Sequence, residues 1–369
     1  SLVEDIRQEG LREPIVLYED KILDGRNRYR ACQKAEVEPK YKNLNGNTSP
    51  LSFVISANLK RRHLTLGQRA AIAIEILPFL EAEAKKRQGE RTDKHHGKNS
   101  GMFREARQHA ANMLGVNEHY ISDAKKLLEE APELLESVKT GTLTIPQAKK
   151  QQREKQRTTK RNKIANEGKR ISPSDRYAIH CGDIETWSAP RQYDYIITDP
   201  PYPKEFLSLY GVLAQRARQW LAPGGLLIAM CGQSYLNEIY SLMDNHLDYY
   251  WTASYLTPGQ PTPLRQKQVN TTWKPLLIYT NGKYGGKIFG DVFKSDGNDK
   301  DFHEWGQSVS GMLSIISGIC LPGQYILDPF CGAGTTGVAA LKHGCLFDGL
   351  DIDENNVNIS RARIAEIDG

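Results

Sequence analysis

Four consecutive residues, Asp199-Pro200-Pro201-Tyr202, follow an apolar run that reads as a buried strand, and together they offer three chemical groups. Asp199 supplies a carboxylate, and the main-chain carbonyl of Pro200, held by two rigid proline rings, supplies a second acceptor. Tyr202 adds an aromatic face on which a planar ring can stack. Two acceptors beside a stacking face could hold both hydrogens of an amino group on a base and leave its nitrogen open to an electrophile.

A second set of residues surrounds the glycine-rich turn Gly332-Ala333-Gly334, between an apolar run and a predicted helix. Glycines let the backbone pass close beneath a ligand, and the first turn of a helix offers N–H groups without partners. Asp328 stands at the end of the preceding strand, where ligands bind in open α/β sheets. Asp351 ends the next strand, about 20 residues past the glycines, where an acid can accept hydrogen bonds from ribose hydroxyls.

The elements that position these residues alternate between strands and helices from about residue 171 to the end. Such alternation is typical of a mostly parallel α/β sheet. Apolar runs predict buried strands at 193–197, 226–229, 276–279, 325–327 and 346–350. The sequence therefore predicts an α/β domain with a Rossmann-like sheet over residues 171–369.

Over residues 171–369 the sequence resembles the Asp-Pro-Pro-Tyr amino-methyltransferases of DNA, through Asp199 to Tyr202 and through the turn Asp-Pro-Phe-Cys-Gly-Ala-Gly-Thr-Thr that begins at Asp328. The catalytic motif precedes the cofactor motif, which is similar to the order of the β group. The resemblance implies S-adenosyl-L-methionine as the cofactor, and it places a cofactor-capping motif at His303 to Ser308. The implied catalytic residues are Asp199, Pro200, Pro201 and Tyr202. The implied cofactor contacts are Asp183, Asp328, Pro329, Phe330, Gly332, Gly334, Thr335 and Asp351.

The identity of the methylated base is indicated by Asp199. Family members with Asp at this position usually methylate N6 of adenine, whereas Ser there is commoner among enzymes for N4 of cytosine. We therefore expect a site-specific adenine-N6 methyltransferase acting on double-stranded DNA. N4 methylation of cytosine stays open, because either amine satisfies the same hydrogen-bond geometry. Methylation of RNA, or a DNA-binding protein with an inactive methyltransferase fold, is a further alternative.

The first 63 residues resemble the N-terminal domain of ParB proteins, through three segments between Glu9 and Thr65. Short β-prone runs separated by turn residues predict a small α+β domain there. In ParB proteins a Gly-Glu-Arg-Arg stretch binds a nucleoside triphosphate. The matching stretch from Gly25 reads Gly-Arg-Asn-Arg, which argues against CTP binding. It leaves guanidinium groups, such as that of Arg28, that are suited to phosphate.

Residues 64–150 follow helical periodicity and contain a helix-turn-helix pattern around Gly115. Leu114 would face the core before the turn, and Ile121 would do so after it. This spacing is typical of helix pairs that bind DNA. The second helix would expose polar side chains that can reach base edges or phosphates, and the predicted DNA contacts on it are Asn117, His119 and Lys125.

Two further segments are predicted to touch DNA. Residues 151–170 are rich in Lys and Arg and are predicted as a basic linker that contacts phosphates. Between the catalytic and cofactor motifs, the segment from Pro258 to Thr272 is predicted as a loop for local base reading. Arg265 and Lys267 are its candidate base contacts.

The composition limits the remaining classes of function. No run approaches the roughly 20 apolar residues that a membrane helix needs, and no secretory signal is evident. The six cysteines are scattered without a CxxC pair, which favours reduced cytosolic thiols. The resemblance to ParB proteins and DNA methyltransferases implies the cytoplasm of a bacterium or a phage-infected host. His95-His96 lack further ligands at metal spacing, so no metal site is predicted. A ParB-like module joined to a methyltransferase is reminiscent of phage and mobile-element proteins, and the oligomeric state is left open.

Overall fold

The computed structural model describes residues 2–44, 50, 53, 64–89, 99–172, 174–259, 261–265, 267–297 and 307–368. The chain divides into two compact units, Ser1–Lys155 and Gln156–Gly369. His95-His96, residues 303–306 of the predicted capping motif and residues 57–63 of the ParB-like segment lie outside the described residues. Within the part that is described, no helix is both long enough and apolar enough to cross a membrane.

The first unit begins with a small α+β fold. Its elements are helix α1 (Leu2–Glu9), strands β1 (Ile15–Tyr18) and β2 (Lys21–Asp24), helix α2 (Arg26–Ala35) and strand β3 (Tyr41–Asn43). The strands lie in the order β2-β1-β3. Arg28 of α2 forms ion pairs with Asp24 and Glu13, each with an N–O distance of 2.7 Å. This guanidinium, predicted to suit phosphate, is therefore engaged within the fold.

From residue 64 onward, the part of the first unit that the structure describes is mainly helical. Its helices are α3 (Leu66–Gly89), α4 (Asn99–Leu114), α5 (Glu118–Glu130), α6 (Pro132–Lys139) and the first part of α7 (Ile145–Gly168). A turn at Gly115, where φ is 61°, joins α4 to α5, and Leu114 and Ile121 are buried on either side of it. The Asn117 side chain caps α5 by accepting a hydrogen bond from the His119 N–H at 2.9 Å. DNA binding by this helix pair stays a prediction.

Helix α7 differs from the prediction of a linker at residues 151–170. It runs without interruption to Gly168, so most of that segment is helical. The boundary between the two units falls inside the helix, after Lys155. The predicted boundary at residue 171 is thus displaced by about four turns of helix, at 3.6 residues each.

Apolar contacts explain why the last part of α7 belongs to the second unit. Ala165 packs against Ala333 and Ile359 in a small buried cluster. Gly168 lies so close to Asn358 that a Cβ atom on it would stand 1.8 Å from the Asn358 carbonyl oxygen. Ala165 and Gly168 are surrounded in sequence by basic residues, most of which are exposed. The sequence therefore does not reveal that one narrow face of the helix is packed.

The second unit contains, within the described residues, an eight-stranded mixed sheet. Its strands are β4 (Tyr177–Cys181), β5 (Tyr193–Thr198), β6 (Leu221–Met230), β7 (Asp248–Leu256), β10 (Trp273–Thr280), β11 (Val292–Lys294), β12 (Tyr325–Asp328) and β13 (Leu346–Asp351). They lie in the order β11-β7-β10-β6-β5-β12-β13-β4. The five adjacent strands β6, β5, β12, β13 and β4 are parallel to one another. Strand β10 is antiparallel to both of its neighbours, β6 and β7. All five strands predicted for residues 171–369 are present. The sheet is mixed because β10 runs antiparallel to its two neighbours.

Helices cover both faces of this sheet. They are α8 (Ser208–Trp220), α9 (Leu236–Met243), α10 (Val309–Ile319), α11 (Thr335–His343) and α12 (Glu354–Asp368). Successive strand residues point to opposite faces, so Ile196 packs in one core cluster with Tyr210 of α8, and Ile197 packs in another with Ile315 of α10. Because both faces are buried, the central strands read as continuous apolar runs.

The segment predicted as a recognition loop is largely a β-hairpin. Strands β8 (Thr262–Leu264) and β9 (Val269–Thr271) pair antiparallel between the end of β7 and the start of β10. Arg265 and Lys267 are exposed at its turn, and the Lys267 N–H donates to the Leu264 carbonyl at 3.0 Å. Charged and polar side chains in the turn obscure the short strands in the sequence pattern.

Candidate functional site

The predicted catalytic residues and most of the predicted cofactor residues line one cavity of about 710 Å³. It opens at the edge of the sheet where the parallel strands β5, β12 and β13 end. The predicted residues that line it are Asp199, Pro200, Pro201, Tyr202, Asp328, Phe330, Gly332, Thr335 and Asp351. Asp183, Pro329 and Gly334 are not among its lining residues. Gln307, which belongs to the predicted capping motif, and Lys274, which was not predicted to contribute to the site, line the cavity as well.

Asp328 connects the catalytic strand to the cofactor loop. Its carboxylate is 3% exposed and accepts hydrogen bonds from Thr198 Oγ1 at 2.6 Å, from Thr336 Oγ1 at 2.5 Å and from the Phe330 N–H at 3.1 Å. Thr198 is the last residue of β5 and directly precedes Asp199. The Asp328 side chain therefore fixes the start of the catalytic motif, the loop and the first turn of α11 relative to one another.

Burial also makes the protonation of Asp328 sensitive to pH. Loss of hydration raises the pKa of Asp328 from 3.8 to about 6, although the hydrogen bonds from Thr198, Thr336 and Phe330 act in the opposite direction. Between these two pH values the folded chain holds a proton that the unfolded chain has released. The free energy of unfolding must therefore fall as pH rises from about 4 to 6, and level off above 6.

We expect this contribution to be measurable against Asp328→Asn, which cannot titrate. The difference between pKa values of 3.8 and about 6 corresponds to about 3 kcal/mol. Urea unfolding at pH 4.5 and pH 7 should show the wild type losing stability relative to the variant at the higher pH. A difference between the two proteins that is the same at both pH values would contradict the assignment.

The glycine-rich turn forms a cradle on one wall of the cavity. Gly332 has a φ of 51°, and a Cβ atom on it would meet nothing closer than the Phe330 carbonyl oxygen at 4.0 Å. A ligand can therefore approach the Gly332 backbone directly. Gly334, with a φ of 78°, precedes the first residue of α11 and lies against Ser360, whose atoms would be 3.0 Å from a Cβ. Gly334 thus allows the turn to pack closely against Ser360, on the side away from the cavity.

Asp351 stands beside this cradle at the end of β13. Its Oδ2 accepts the Gly332 N–H at 2.8 Å, and its Oδ1 accepts from the Asp353 N–H at 2.9 Å and from Asn356 Nδ2 at 3.1 Å. A carboxylate oxygen can accept two hydrogen bonds, so Oδ2 has room for one hydroxyl donor. The acceptor, the open backbone and the apolar Phe330 and Met312 in the same wall fit a nucleoside-containing cofactor.

Two predicted cofactor residues have other environments. Asp183 is exposed, and its Oδ1 accepts the Glu185 N–H at 2.8 Å in a local turn. Pro329 belongs to the turn after β12 but does not line the cavity. Both residues occupy the sequence positions that the resemblance requires, and neither reaches the cavity that the other residues share.

Asp199 is held by two donors on the opposite wall. The Tyr202 hydroxyl donates to Oδ1, and Gln307 Nε2 donates to Oδ2 at 2.6 Å. Burial and the neighbouring Asp199 carboxylate raise the pKa of Tyr202 well above its ordinary value of 10. Tyr202 therefore stays a neutral donor at any working pH. Gln307 lies in the predicted capping motif, which is the one sequence signal that pointed toward it.

Lys274 brings a positive charge to the same wall. It is the second residue of β10, and its Nζ lies 5.1 Å from the centroid of the Tyr202 ring, within the range of a cation–π contact. Because β10 runs antiparallel to β6, its first residues lie at the edge where β6 ends. Strand direction, which the sequence around Lys274 does not reveal, is what places Lys274 in the cavity.

Cysteine and metal chemistry have weaker support at this site. Cys331 lies in the cavity wall, but burial raises the pKa of its thiol well above the ordinary value, so the thiolate needed for nucleophilic attack is not formed. Among the residues that the structure describes, no group of three or more His, Cys, Asp and Glu side chains is placed to hold a metal ion.

The predicted DNA contacts lie outside the cavity. Asn117, His119 and Lys125 are exposed on α5 of the first unit, and Arg265 and Lys267 are exposed on the hairpin of the second unit. The hairpin leads directly into β10, where Lys274 lines the cavity. The hairpin residues and the cavity thus share one end of the sheet in the second unit.

The chain has recognisable relatives among methylases. Residues 286–362, which include β12, the glycine-rich turn and β13, match the family model described as DNA methylase, of the N6/N4 class. The chain is 23% identical over 202 residues to "Putative methylase YubD" of Escherichia coli (strain K12), covering 47% of this chain and 82% of that protein. It is 50% identical over 42 residues to Type II methyltransferase M2.DpnII of Streptococcus pneumoniae, covering 11% of this chain and 16% of that protein.

Among solved structures, the crystal structure of an M1.HpyAVI–SAM complex is similar with a TM-score of 0.43 and 23% identity, covering 51% of this chain and 98% of that one. The family match covers the cofactor half of the cavity described above. The family match and the two methylase relatives support an S-adenosylmethionine-dependent DNA methyltransferase of the N6/N4 class.

Proposed function

We propose that this chain transfers a methyl group from S-adenosyl-L-methionine to the exocyclic N6 amino group of adenine at specific sites in double-stranded DNA. The observation that carries the proposal is the shared cavity, in which Asp199-Pro200-Pro201-Tyr202 faces the cradle formed by Gly332 and Asp351. One wall offers acceptors and an aromatic ring for a base. The other offers open backbone and a carboxylate for a nucleoside.

The catalytic residues act by positioning. The amino group of a base is a weak nucleophile because its lone pair is delocalised into the ring. Hydrogen bonds from its two hydrogens to Asp199 and to the Pro200 carbonyl hold the nitrogen with a free face, and Tyr202 stacks on the base once it has left the duplex. Alignment then supplies much of the rate. The bound cofactor supplies an activated methyl group on its sulfonium.

The choice of adenine depends on Asp199, since the related enzymes with this residue usually act on N6. Cytosine N4 carries an amine of the same kind, and the acceptors described above serve it equally well. We propose adenine as the substrate and treat N4-methylcytosine as the alternative product.

DNA recognition is assigned to two surfaces. We propose that Arg265 and Lys267 on the hairpin read bases near the target, and that Asn117, His119 and Lys125 on α5 contact a flanking site. Asn117 already caps α5 through its side-chain oxygen, so its amide nitrogen is the group left for DNA. The ParB-like module is proposed to bind DNA without CTP, because Arg28 is paired with carboxylates.

Lys274 is expected to contact the flipped nucleotide. Among the described residues the Lys274 ammonium has no carboxylate partner, and it lies 5.1 Å from the centroid of the Tyr202 ring. Lys274→Met keeps the length of the side chain and removes the charge. We expect the KM for DNA to rise about tenfold, as for loss of one hydrogen bond from a charged group, with unchanged affinity for S-adenosylmethionine.

The control for this variant is Lys342→Met, which removes an exposed charge from α11. Steady-state kinetics on unmethylated plasmid DNA and calorimetric titration of the cofactor separate the two effects. An equal change in both variants, or weaker cofactor binding by Lys274→Met, would show that Lys274 does not serve the nucleotide.

The proposed function is tested by incubating the full chain with S-adenosylmethionine labelled in the methyl group, together with either unmethylated duplex DNA or RNA. Label should enter DNA and not RNA. Incorporation into RNA alone would exclude the proposal, as would absence of incorporation by a chain that binds the cofactor.

A further inference from the structure

In the structure without a base, each oxygen of the catalytic carboxylate already accepts one hydrogen bond. Asp199 accepts from the Tyr202 hydroxyl on Oδ1 and from Gln307 Nε2 on Oδ2, the latter at 2.6 Å. Gln307 is half-buried and lines the same cavity. Among the described residues, Asp199 is the one recorded hydrogen-bond partner of its side chain. A target amine cannot reach Oδ2 in the same direction while Gln307 is there.

The group that Gln307 presents is chemically close to the target. A primary carboxamide carries a planar nitrogen, conjugated to its neighbouring carbon, with two hydrogens and an acceptor oxygen alongside. The exocyclic amine of adenine or cytosine is also a planar, conjugated nitrogen with two hydrogens, and it stands beside a ring nitrogen that accepts. The Gln307 amide therefore donates to Asp199 Oδ2 a hydrogen bond of the kind that the amine of a base would donate.

We propose that Gln307 holds the place of the target amine at Asp199 in the base-free enzyme and must be displaced when the base enters. The inference rests on the proposed function, because it assumes that Asp199 is the acceptor for the amine. It assigns Gln307 a part in specificity, since only an amine that can replace its hydrogen bond reaches the reactive position.

The surrounding structure permits this exchange without a change of fold. Ser308, the next residue, is anchored: its Oγ accepts from the Gly311 N–H at 3.1 Å and lies 2.5 Å from Ser295 Oγ. It caps α10. The Gln307 side chain can therefore rotate away on a fixed main chain. Asp199 cannot move to the same extent, because it directly follows Thr198, which is bound to the buried Asp328.

The test compares Gln307→Ala and Gln307→Met with the wild type in the full chain. Alanine removes the side chain, and methionine keeps its length but has no N–H donor. We expect the KM for unmethylated plasmid DNA to fall about tenfold in both, as for removal of a competing hydrogen bond to a charged group. We expect kcat to change less than about twofold and cofactor affinity, measured by calorimetry, to be unchanged. Gln219→Ala, at an exposed position on α8, is the matched control and should alter none of these.

The possible results separate this inference from the proposed function. A wild-type enzyme that transfers methyl groups, together with variants whose KM is unchanged or raised, overturns the role of Gln307 alone. A lower kcat at unchanged KM in both variants does the same, because Gln307 would then assist the reaction. A wild-type chain that binds the cofactor and transfers no methyl group overturns the proposed function, and this inference with it.

Discussion

Replacement of Asp199 by alanine is expected to lower kcat for methyl transfer by about a thousandfold, the loss typical of removing one group that positions or stabilises the reacting atoms. Affinity for S-adenosylmethionine should stay within about twofold, because the residues that form the cradle, Gly332 and Asp351, make no hydrogen bond to Asp199. The partners of Asp199 are Tyr202 and Gln307.

The matched control for this prediction is Asp248→Ala. Asp248 is exposed at the start of β7 and pairs with Thr280 at the end of β10, which is the edge of the sheet away from Lys274. Single-turnover methylation at saturating DNA, with calorimetric titration of the cofactor, separates chemistry from binding. An Asp199→Ala enzyme that retains more than about a tenth of the wild-type rate would show that another group accepts the amine.

Replacement of Asp328 by alanine is expected to destabilise the second unit by about 3 kcal/mol or more and to weaken cofactor binding at least tenfold. The substitution leaves two hydroxyls and the Phe330 N–H without their buried acceptor, and an unsatisfied buried donor costs about 1–3 kcal/mol. Loss of the hydrogen bonds from Phe330 and Thr336 also removes the anchor of the loop that carries Gly332, so cofactor binding should weaken. Chemical unfolding and calorimetry measure the two effects.

Asp328→Asn provides the control for that substitution. Its oxygen can still accept from Thr198 and from the Phe330 N–H, and its nitrogen can donate to the hydroxyl of Thr336, which rotates to accept. We therefore expect near-normal cofactor binding in this variant. An alanine variant as stable as the asparagine variant would show that the hydrogen bonds of Asp328 do not hold the loop.

The central strands could be predicted because they are covered on both faces. Strands β5, β6, β10 and β12 contain runs of three or more apolar residues, and β13 contains buried Phe347 and Leu350. These local patterns do not depend on distant parts of the chain. Strand β7 was not predicted, since its first four residues, from Asp248 to Trp251, are exposed. Its Tyr, Trp and Thr residues do favour a strand, but its buried positions begin only at Ala253, so no buried apolar run marks it.

The candidate site could be predicted only as far as local motifs extend. Asp199 directly follows β5 and Asp328 ends β12. Each introduces a distinctive turn, so the sequence indicates both. Gln307 lies 108 residues after Asp199 in the chain, and Lys274 reaches the cavity because β10 runs antiparallel. Such contacts depend on sheet order and strand direction, which single-sequence patterns do not specify.

The extension of α7 to Gly168 was not predicted for a similar reason. Its basic residues indicate an exposed surface, and they would do so for a linker or a helix. The packing of Ala165 and Gly168 against the second unit's own residues is what establishes the helix there. A truncation intended to isolate the methyltransferase unit should therefore begin before Gln156 rather than at Ile171.

The most direct test of the account identifies the methylated nucleoside. The full chain is incubated with labelled S-adenosylmethionine and unmethylated duplex DNA, and the DNA is then digested to nucleosides for mass spectrometry. We expect labelled N6-methyl-2′-deoxyadenosine. Labelled N4-methyl-2′-deoxycytidine would be consistent with the amine chemistry and would contradict the choice of base. DNA that carries no label, from a chain shown to bind the cofactor, would contradict the central claim.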